Sequence, residues 1–500
     1  MEEKLAQLKA KLADIADVGE VAGLLAWDQQ TYMPSGAAEA RGNQQALVGR
    51  LAQEWAMAPE LGRLLDEMKP WAAGLDPDSD EARLVKTSAR DYAKATRVPV
   101  DYVVEFARVT ALAQQAWVEA RTKSDFSLFR PHLEKVVELR KRYADFFPGV
   151  EHPYDALLDD FEPGMKTSEV KAIFNALRPK QVELVKKIAA RPQVDDSFLH
   201  QEFDGQKQWD FGVEVITAFG YDWEHGRQDK APHPFTGGAG MYDVRITTRV
   251  DPGFLNPMLF GTMHECGHAL YALGHSPAHD RTGLDNGASL GVHESQSRLW
   301  ENLVGRSLPF WKHFYPRLQE VFPAQLGDVS LEAFYKGVNK VQPSAIRVEA
   351  DEATYNLHIM LRLQIEIALL EGSLAVKDLP AYWNAAMKEY LGVTPANDAQ
   401  GVLQDIHWSF GGFGYFSTYA LGNLISAQLW EALRRDLPGL DADIEAGRFA
   451  PLLSWLRTKV HVHGRKFEPQ ELVRRVTGSG IDPAAYLRYL ENKYRGIYGF

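Results

Sequence analysis

Two histidines and a glutamate in the run His264-Glu265-Cys266-Gly267-His268 have the spacing of a metal site. Residues four apart lie on one face of an α-helix, so both imidazoles can reach a single ion. This is the HExxH arrangement of zinc peptidases, in which the glutamate is the general base. Glu265 projects about a third of a turn from His264, where it can reach a metal-bound water without displacing it. The run therefore predicts a catalytic metal centre.

Glu294 is the candidate for a third ligand. A catalytic zinc has three protein ligands and keeps one position open for water. Glu294 opens a second stretch of helical periodicity, and a carboxylate on such a following helix would complete the set. One HExxH can arise by chance in a chain with 15 histidines, but the added carboxylate favours metal catalysis over coincidence. We therefore predict that His264, His268 and Glu294 bind the metal.

Cys266 lies inside the motif and is the single cysteine of the chain. A lone cysteine excludes an internal disulfide and is typical of a reducing compartment. It could be a metal ligand, but a residue two positions after His264 points away from the face that carries the two imidazoles. We interpret Cys266 as a small buried filler of the core.

The elements that must position these residues can be predicted from the flanking sequence. Asn256-Pro257 is typical of a helix start, apolar residues recur at helical spacing after it, and Gly274 is a plausible end. Before this helix, Val244–Val250 partly alternates apolar and polar residues, which predicts a strand in a small sheet beside the metal helix. An extended substrate could pair with the edge of such a strand.

Composition bounds the remaining possibilities. The chain has 500 residues, of which 45% are hydrophobic, and carries a net charge of −12. Such a chain can bury a large core, and its helical periodicity with no visible linker predicts one mainly α domain over residues 1–500. The negative charge excludes a nucleic-acid partner. The first residues lack the apolar core of a signal peptide and no run is long enough to cross a membrane, so we expect a cytoplasmic protein.

With these residues assembled, the chain resembles the carboxypeptidase Taq family of metallocarboxypeptidases and is distantly similar to neurolysin and angiotensin-converting enzyme. The resemblance covers essentially the whole chain. It rests on His233-Pro234-Phe235, Asp243–Thr247, the HExxH run, His293-Glu294-Ser295, Ile346–Asp351 and Gly401–Trp408. It implies a large helical zincin-like fold with a deep substrate groove, a homodimer, and removal of single C-terminal residues from peptides with broad specificity.

The resemblance also implies roles for residues outside the metal motif. His407 and Tyr419 are the candidates for stabilising the oxyanion, with Tyr415 in reserve, although Tyr419 could be an ordinary packed aromatic residue. The substrate carboxylate would best be bound by an arginine, because its guanidinium has a fork geometry.

Three candidates for contacting the substrate follow. Arg347 is the first candidate for the carboxylate, and a buried ion pair with Asp351 is its competing interpretation. Arg245 is the second, with a solvent-facing position on its strand as the alternative. His233 is a further residue expected to line the substrate site.

The predicted chemistry is peptide hydrolysis by zinc, or by cobalt, since both metals accept this ligand set. Glu265 would take a proton from the metal-bound water and deliver it to the leaving amine. Two rival functions stay open from the sequence. One is an endo-oligopeptidase or dipeptidyl carboxypeptidase with the same metal chemistry. The other is a helical binding protein with a vestigial metal site, which should have lost Glu265.

Overall fold

The apolar periodicities of the sequence form 21 α-helices around one small sheet in the computed structural model, which describes residues 1–500. The helices are α1 (Glu2–Thr31), α2 (Ala38–Ala56), α3 (Pro59–Ala72), α4 (Asp80–Arg97), α5 (Val100–Lys123), α6 (Phe126–Asp145), α7 (Pro153–Leu158), α8 (Thr167–Ala189), α9 (Gly205–Phe219), α10 (Leu255–Ala272), α11 (Leu290–Arg298), α12 (Leu308–Val321), α13 (Pro323–Leu326), α14 (Leu331–Val338), α15 (Tyr355–Glu371), α16 (Leu379–Leu391), α17 (Ser417–Asp436), α18 (Leu440–Glu445), α19 (Ala450–Lys459), α20 (Pro469–Thr477) and α21 (Pro483–Tyr498). The prediction of a mainly α fold with a small sheet is confirmed.

The sheet consists of β1 (Gly226–Lys230), β2 (Thr236–Gly238) and β3 (Val244–Thr248), in the order β1-β3-β2. The predicted strand is β3, and it packs against α10 as expected. It is, however, the central strand, parallel to β1 and antiparallel to β2. Its backbone hydrogen bonds are therefore shared with both neighbours, and the expectation that it offers an edge to the substrate is wrong.

Most of the apolar residues share one core. A cluster of 110 buried residues extends from Tyr102 to Tyr498 and surrounds α10, α11, α15 and α17. The helices α11 and α17 cross closely at Gly422, where a Cβ atom would lie 2.6 Å from Cγ of Glu294. The same crossing thus packs the core and brings α17 against the predicted third ligand.

The helices α1, α3 and α4 build a smaller core of their own. Its buried members are Leu8, Leu61, Leu64, Leu65, Met68, Leu84 and Val85, joined by Leu284 from a later loop. The helix α2 contributes no buried residue, and its apolar residues Leu47, Leu51 and Trp55 are only partly covered. None of the helices combines the length and the apolar character needed to cross a bilayer.

Candidate metal centre and active site

The HExxH run lies in the second half of the buried helix α10. The helix begins at Leu255, one residue before the predicted Asn256-Pro257 start, and ends at Ala272, two residues before Gly274. Buried residues lie on nearly every face of α10, as is typical of a helix that is surrounded by other elements. The surrounding packing holds the motif backbone rigidly, so the two imidazoles have a defined direction.

Gly267, between the two histidines, allows α11 to approach. A Cβ atom at Gly267 would lie 2.6 Å from the carbonyl oxygen of Gln296 and 2.7 Å from Cα of Ser297. The start of α11 is set by Ser289, whose hydroxyl accepts a hydrogen bond of 3.0 Å from the Val292 N–H. The close crossing and the helix cap together put Glu294 opposite the motif.

The three predicted ligands converge. One ligand atom from each of His264, His268 and Glu294 lies within 4.8 Å of the others. Oε2 of Glu294 is 3.5 Å from Nε2 of His264 and 3.4 Å from Nε2 of His268. A tetrahedral zinc with bonds of about 2.1 Å separates its ligand atoms by about 3.4 Å, so the residues fit a zinc-sized ion.

A carboxylate orients His264. Its Nδ1 lies 2.8 Å from Oε2 of Glu301, which is in the π-helical segment Leu299–Val304 that follows α11. Burial opposes the charge of Glu301, but Arg298 and His264 hold its pKa down at about 2. A permanent carboxylate on Nδ1 directs the proton there and leaves the Nε2 lone pair for the metal.

The other two ligands have different partners. Nδ1 of His268 lies 2.6 Å from Nδ1 of His293. His268 therefore has an imidazole as the partner of its Nδ1, whereas His264 has the carboxylate of Glu301. Glu294 accepts hydrogen bonds from Nε of Arg298 at 2.7 Å and from the hydroxyl of Ser297 at 2.9 Å. Burial opposes ionisation of Glu294, yet Arg298 and His264 hold its pKa well below the usual range. The third ligand is therefore a carboxylate ready to bind a cation.

Glu265 is held by the sheet. The hydroxyl of Thr236 on β2 lies 2.6 Å from Oε2 of Glu265 and 3.0 Å from the Glu265 carbonyl oxygen. Glu265 is 6% exposed, and its Oε1 has no partner in the protein. One oxygen is thus anchored while the other is available to exchange a proton.

Arg347 lies in a buried ion pair, but with Asp405 and not with Asp351. Its Nε and Nη2 donate to Oδ1 of Asp405 at 2.9 and 2.8 Å, and its Nη1 donates to the hydroxyl of Tyr355 at 2.9 Å. A guanidinium has five N–H donors, so two have no partner here. The competing interpretation of an Asp351 pair is wrong, because Asp351 binds the Gln342, Ala353 and Thr354 N–H groups.

Asp351 also sets the start of α15. The helix begins at Tyr355, because Asp351 closes the turn that precedes it. Tyr355 lies between Arg347 and Arg298: its hydroxyl accepts the hydrogen bond from Arg347, and its ring centre is 4.6 Å from the guanidinium carbon of Arg298. The segment therefore contacts the metal ligands only indirectly, through Arg298.

His407 and Tyr419 lie together beside Arg347. Nε2 of His407 is 3.4 Å from the hydroxyl of Tyr419, and the Tyr419 ring centre is 5.1 Å from the guanidinium carbon of Arg347. Burial lowers the pKa of His407 to about 3, so its imidazole is neutral. Burial raises the pKa of Tyr419 well above its usual range, so its hydroxyl stays a donor. The Tyr415 ring packs 5.4 Å from that of Tyr419.

The two remaining substrate candidates lie nearer the sheet. Arg245 on β3 pairs with Asp243 through two hydrogen bonds of 2.7 Å and covers the ring of Trp27 at 4.3 Å. His233 is exposed in the loop between β1 and β2 and makes no hydrogen bond. The structure therefore joins Arg347, His407 and Tyr419 into one cluster and leaves Arg245 and His233 apart from it.

Cys266 is fully buried in the main core. Burial raises the pKa of its thiol above the usual range, which keeps it protonated and makes it a poor ligand. The interpretation of Cys266 as a core filler is confirmed.

Several residues around the site were not predicted from the sequence. Arg298 and Glu301 follow Glu294 by four and seven residues, which is one and two helical turns, so their spacing was a usable signal. Asp405 was within a noted motif but without a role. Thr236 had no signal, because only the sheet brings it to Glu265.

Comparison with known proteins agrees with this geometry. The carboxypeptidase Taq (M32) metallopeptidase family matches residues 7–494. The chain is 43% identical to thermostable carboxypeptidase 1 of Thermus thermophilus, with 99% of each chain covered, and 39% identical to carboxypeptidase 1 of Bacillus subtilis, with 97% of each covered. The crystal structure of an M32 carboxypeptidase from Deinococcus radiodurans superposes with a TM-score of 0.97 at 42% identity and covers all of both chains. With the family matched along nearly its whole length and the fold shared, this chain belongs to the carboxypeptidase Taq (M32) family of metallopeptidases and is a metallocarboxypeptidase.

Proposed function

We propose that the protein is a zinc-dependent carboxypeptidase that releases C-terminal amino acids from peptides with broad specificity. The observation that carries this proposal is the triangle of His264, His268 and Glu294 with Glu265 beside it. Its spacing suits a tetrahedral ion and it leaves a fourth position for water. A vestigial binding site would have no need of the anchored Glu265.

The proposed mechanism assigns the proton transfers to Glu265. A bound zinc supplies Lewis acidity, which makes water a nucleophile near neutral pH and polarises the scissile carbonyl. Oε1 of Glu265 accepts the proton of the attacking water, while Oε2 stays hydrogen-bonded to Thr236. Glu265 then delivers this proton to the nitrogen of the leaving amino acid.

The substrate side supplies two further interactions. The hydroxyl of Tyr419 donates a hydrogen bond to the oxyanion of the tetrahedral intermediate, and the neutral His407 beside it orients that hydroxyl. The two N–H groups of Arg347 that have no protein partner bind the substrate carboxylate. Arg245 and His233 are secondary candidates for contacts with the rest of the peptide.

A single peptide tested in two forms separates this function from its main rival. An N-blocked peptide is digested once with a free C-terminal carboxylate and once with a C-terminal amide, and the products are separated by mass. We expect stepwise loss of single residues from the acid and cleavage of the amide slower by about 100-fold or more, because Arg347 loses its anionic partner. Equal rates, or release of dipeptides, would identify an endo-oligopeptidase or a dipeptidyl carboxypeptidase instead.

The metal is proposed to be zinc, with cobalt as the second candidate because both accept two imidazoles and a carboxylate. Metal analysis of the protein as purified, followed by removal of the metal with a chelator and reconstitution with each ion, tests this. Activity restored by neither ion would contradict the proposed ligand set.

We also propose that residues 1–500 form a single catalytic domain in a cytoplasmic homodimer. The single large core that most of the helices share supports one domain. The lone buried Cys266 is typical of a protein in a reducing compartment. Multi-angle light scattering of the purified protein measures the oligomeric state directly.

A further inference from the structure

Glu366 is a fully buried carboxylate that has no part in the proposed mechanism. It lies on α15, one helical turn after Arg362, and is 0% exposed. Its three hydrogen-bond partners, Tyr154, Trp408 and Gly414, are uncharged groups. An ionisable side chain is costly to bury among neutral groups unless its oxygens are hydrogen-bonded. Both oxygens of Glu366 have partners, so the side chain is a fixed point in the core.

Two of the three partners lie in the chain between His407 and Tyr419. The indole N–H of Trp408 donates a hydrogen bond of 2.8 Å to Oε1 of Glu366. The backbone N–H of Gly414 donates one of 2.9 Å to Oε2. Trp408 directly follows His407 in the chain, and Gly414 precedes the start of the helix that carries Tyr419. One carboxylate therefore holds both ends of the 408–414 turn, which connects the two residues.

The 408–414 turn has no regular structure that could orient it otherwise. Residues 392–416 contain no helix or strand, and α17 begins only at Ser417. The backbone hydrogen bonds of the turn are short-range, such as that of 2.8 Å from the Gly412 N–H to the carbonyl oxygen of His407. Such bonds shape the turn but do not fix its position relative to the core, so that position depends on contacts such as those of Glu366.

Gly414 is suited to a close contact at this point. Its φ of +95° lies in the left-handed region, and a Cβ atom there would be 2.4 Å from the carbonyl oxygen of Leu157 on α7. Tyr154, on the same helix, donates its hydroxyl to Oε2 of Glu366 at 2.7 Å. The end of the turn is thus packed against α7 and Glu366 together, where a larger residue would displace it.

The chain just before His407 is held by other groups. Asp405 accepts hydrogen bonds from Arg347 at 2.9 and 2.8 Å and from Nε of Arg362 at 2.7 Å. If the contacts of Glu366 are loosened, the 408–414 turn should therefore move while Arg347 keeps its partner. This separation allows an effect on the turn to be measured apart from binding of the substrate carboxylate.

We propose that Glu366 is a positioning residue for peptide hydrolysis. Its two oxygens hold the turn at Trp408 and Gly414, and the position of the turn sets where the Tyr419 hydroxyl meets the developing oxyanion. The inference rests on the proposed role of Tyr419 and names the group that fixes its position. Glu366 is buried and acts through the turn, because a fully satisfied buried hydrogen-bond network is rigid.

Glu366→Gln tests the proposal, because the amide has the same shape but carries N–H donors at one end. That end faces the N–H of Trp408 or of Gly414, and neither can accept a hydrogen bond, so one end of the turn is released. We expect kcat to fall about 100-fold, since a displacement of about 1 Å can have an effect of that size. KM for a peptide with a free carboxylate should stay within about three-fold of the parent, and metal content should be unchanged.

Asp155→Asn is the matched control. Asp155 is also a buried carboxylate that accepts three hydrogen bonds, but they come from His152 and Thr167 and none comes from the 408–414 turn. This variant should therefore keep kcat within about three-fold of the parent, even if it lowers the free energy of unfolding.

A double-variant cycle shows whether Glu366 acts through Tyr419. Tyr419→Phe removes the hydroxyl directly, so adding Glu366→Gln to it should lower kcat by less than about three-fold more. Trp408→Phe removes the donor to Oε1 and keeps an aromatic ring, so it should lower kcat by about ten-fold. Trp408→Phe provides the test if Glu366→Gln does not fold.

The outcomes separate this inference from the proposed function. If Tyr419→Phe keeps the kcat of the parent, the oxyanion role of Tyr419 and this inference are both wrong. If Tyr419→Phe lowers kcat but Glu366→Gln and Trp408→Phe do not, only this inference is wrong. It is also wrong if the effects of Glu366→Gln and Tyr419→Phe multiply in the double variant, or if Asp155→Asn lowers kcat as much as Glu366→Gln.

Discussion

The two halves of the active site are built in contrasting ways. The metal half comes from two neighbouring helices, α10 and α11, and all three of its ligands lie within these regular elements. The substrate half draws Arg347 from a 3-10 turn, His407 from a loop and Tyr419 from the first turn of α17. The metal half therefore depends on helix geometry, whereas the substrate half depends on hydrogen bonds that hold irregular chain in place.

Charge compensation differs between the halves as well. In the metal half the two carboxylates Glu294 and Glu301 share Arg298, at 2.7 and 3.2 Å. In the substrate half two arginines, Arg347 and Arg362, share Asp405, at 2.8 and 2.5 Å. Arg306 also lies 3.6 Å from Glu301, so the surplus of negative charge in the metal half, which suits a cation, comes from Glu265. The substrate half has a surplus of positive charge, which suits a carboxylate. The contrast predicts that substitutions in one half alter metal binding and those in the other alter substrate binding.

The largest effect is expected at Glu265. Glu265→Gln keeps the size of the side chain and removes the proton acceptor, so kcat should fall about 1,000-fold or more. Metal content should be unchanged, because Glu265 is not a ligand. Thr236→Val, which removes the hydroxyl that contacts Oε2 and the carbonyl oxygen of Glu265, should have a smaller effect of about ten-fold. Near-parent turnover by Glu265→Gln would show that another group accepts the proton.

Arg347→Lys tests the substrate half. Lysine keeps a positive charge next to Asp405 but loses the fork, so kcat/KM for peptides with a free carboxylate should fall about 100-fold. Chelator competition should give an unchanged metal affinity. Arg362→Lys is the control, since Arg362 binds the same Asp405 and is fully buried. If both variants lose activity equally, the role of Arg347 is to stabilise the fold.

Glu301→Gln is the corresponding test of the metal half, and it should change metal binding and not substrate binding. Loss of the carboxylate at 2.8 Å from Nδ1 of His264 makes that imidazole a weaker ligand. We expect the metal affinity to fall about 10- to 100-fold in chelator competition, with KM unchanged once the metal is saturating. Asp405→Asn, the corresponding change in the other half, should leave metal affinity within about two-fold of the parent. An effect of Asp405→Asn as large as that of Glu301→Gln would contradict the separation of the halves.

The smallest effect concerns His275, which belongs to neither half. It is 5% exposed, neither ring nitrogen has a partner, and burial lowers its pKa to about 4. The unfolded chain, with a histidine pKa of about 6.5, binds the proton first, so the free energy of unfolding should fall as the pH drops from about 6.5 to 4, by on the order of 3 kcal/mol.

His275→Phe and His275→Gln both remove that proton and should reduce the pH dependence of the free energy of unfolding in this range, as measured by denaturant titration. A pH dependence identical to that of the parent would mean that the buried imidazole does not resist protonation.

The metal half could be predicted from the sequence more completely than the substrate half. The ligands of α10 and α11 were predictable because helical periodicity is written in local spacing, and Arg298 and Glu301 could have been found by extending the same count. For Arg347, the sequence offers an ion pair with Asp351 only as the competing interpretation. The true partner, Asp405, is distant in the chain and is brought in by a loop. Likewise β3 was predicted as a strand from its alternation, but its central place depends on β1 and β2.

By itself the sequence determined the helical fold, the metal motif and the family, since each is encoded in residue types at short, regular spacing. Only the tertiary structure decided that Thr236 holds Glu265 and that Tyr355 connects Arg298 to Arg347. These features arise from contacts between residues far apart in the chain. Such contacts depend on how all the helices pack at once, and no local pattern records them.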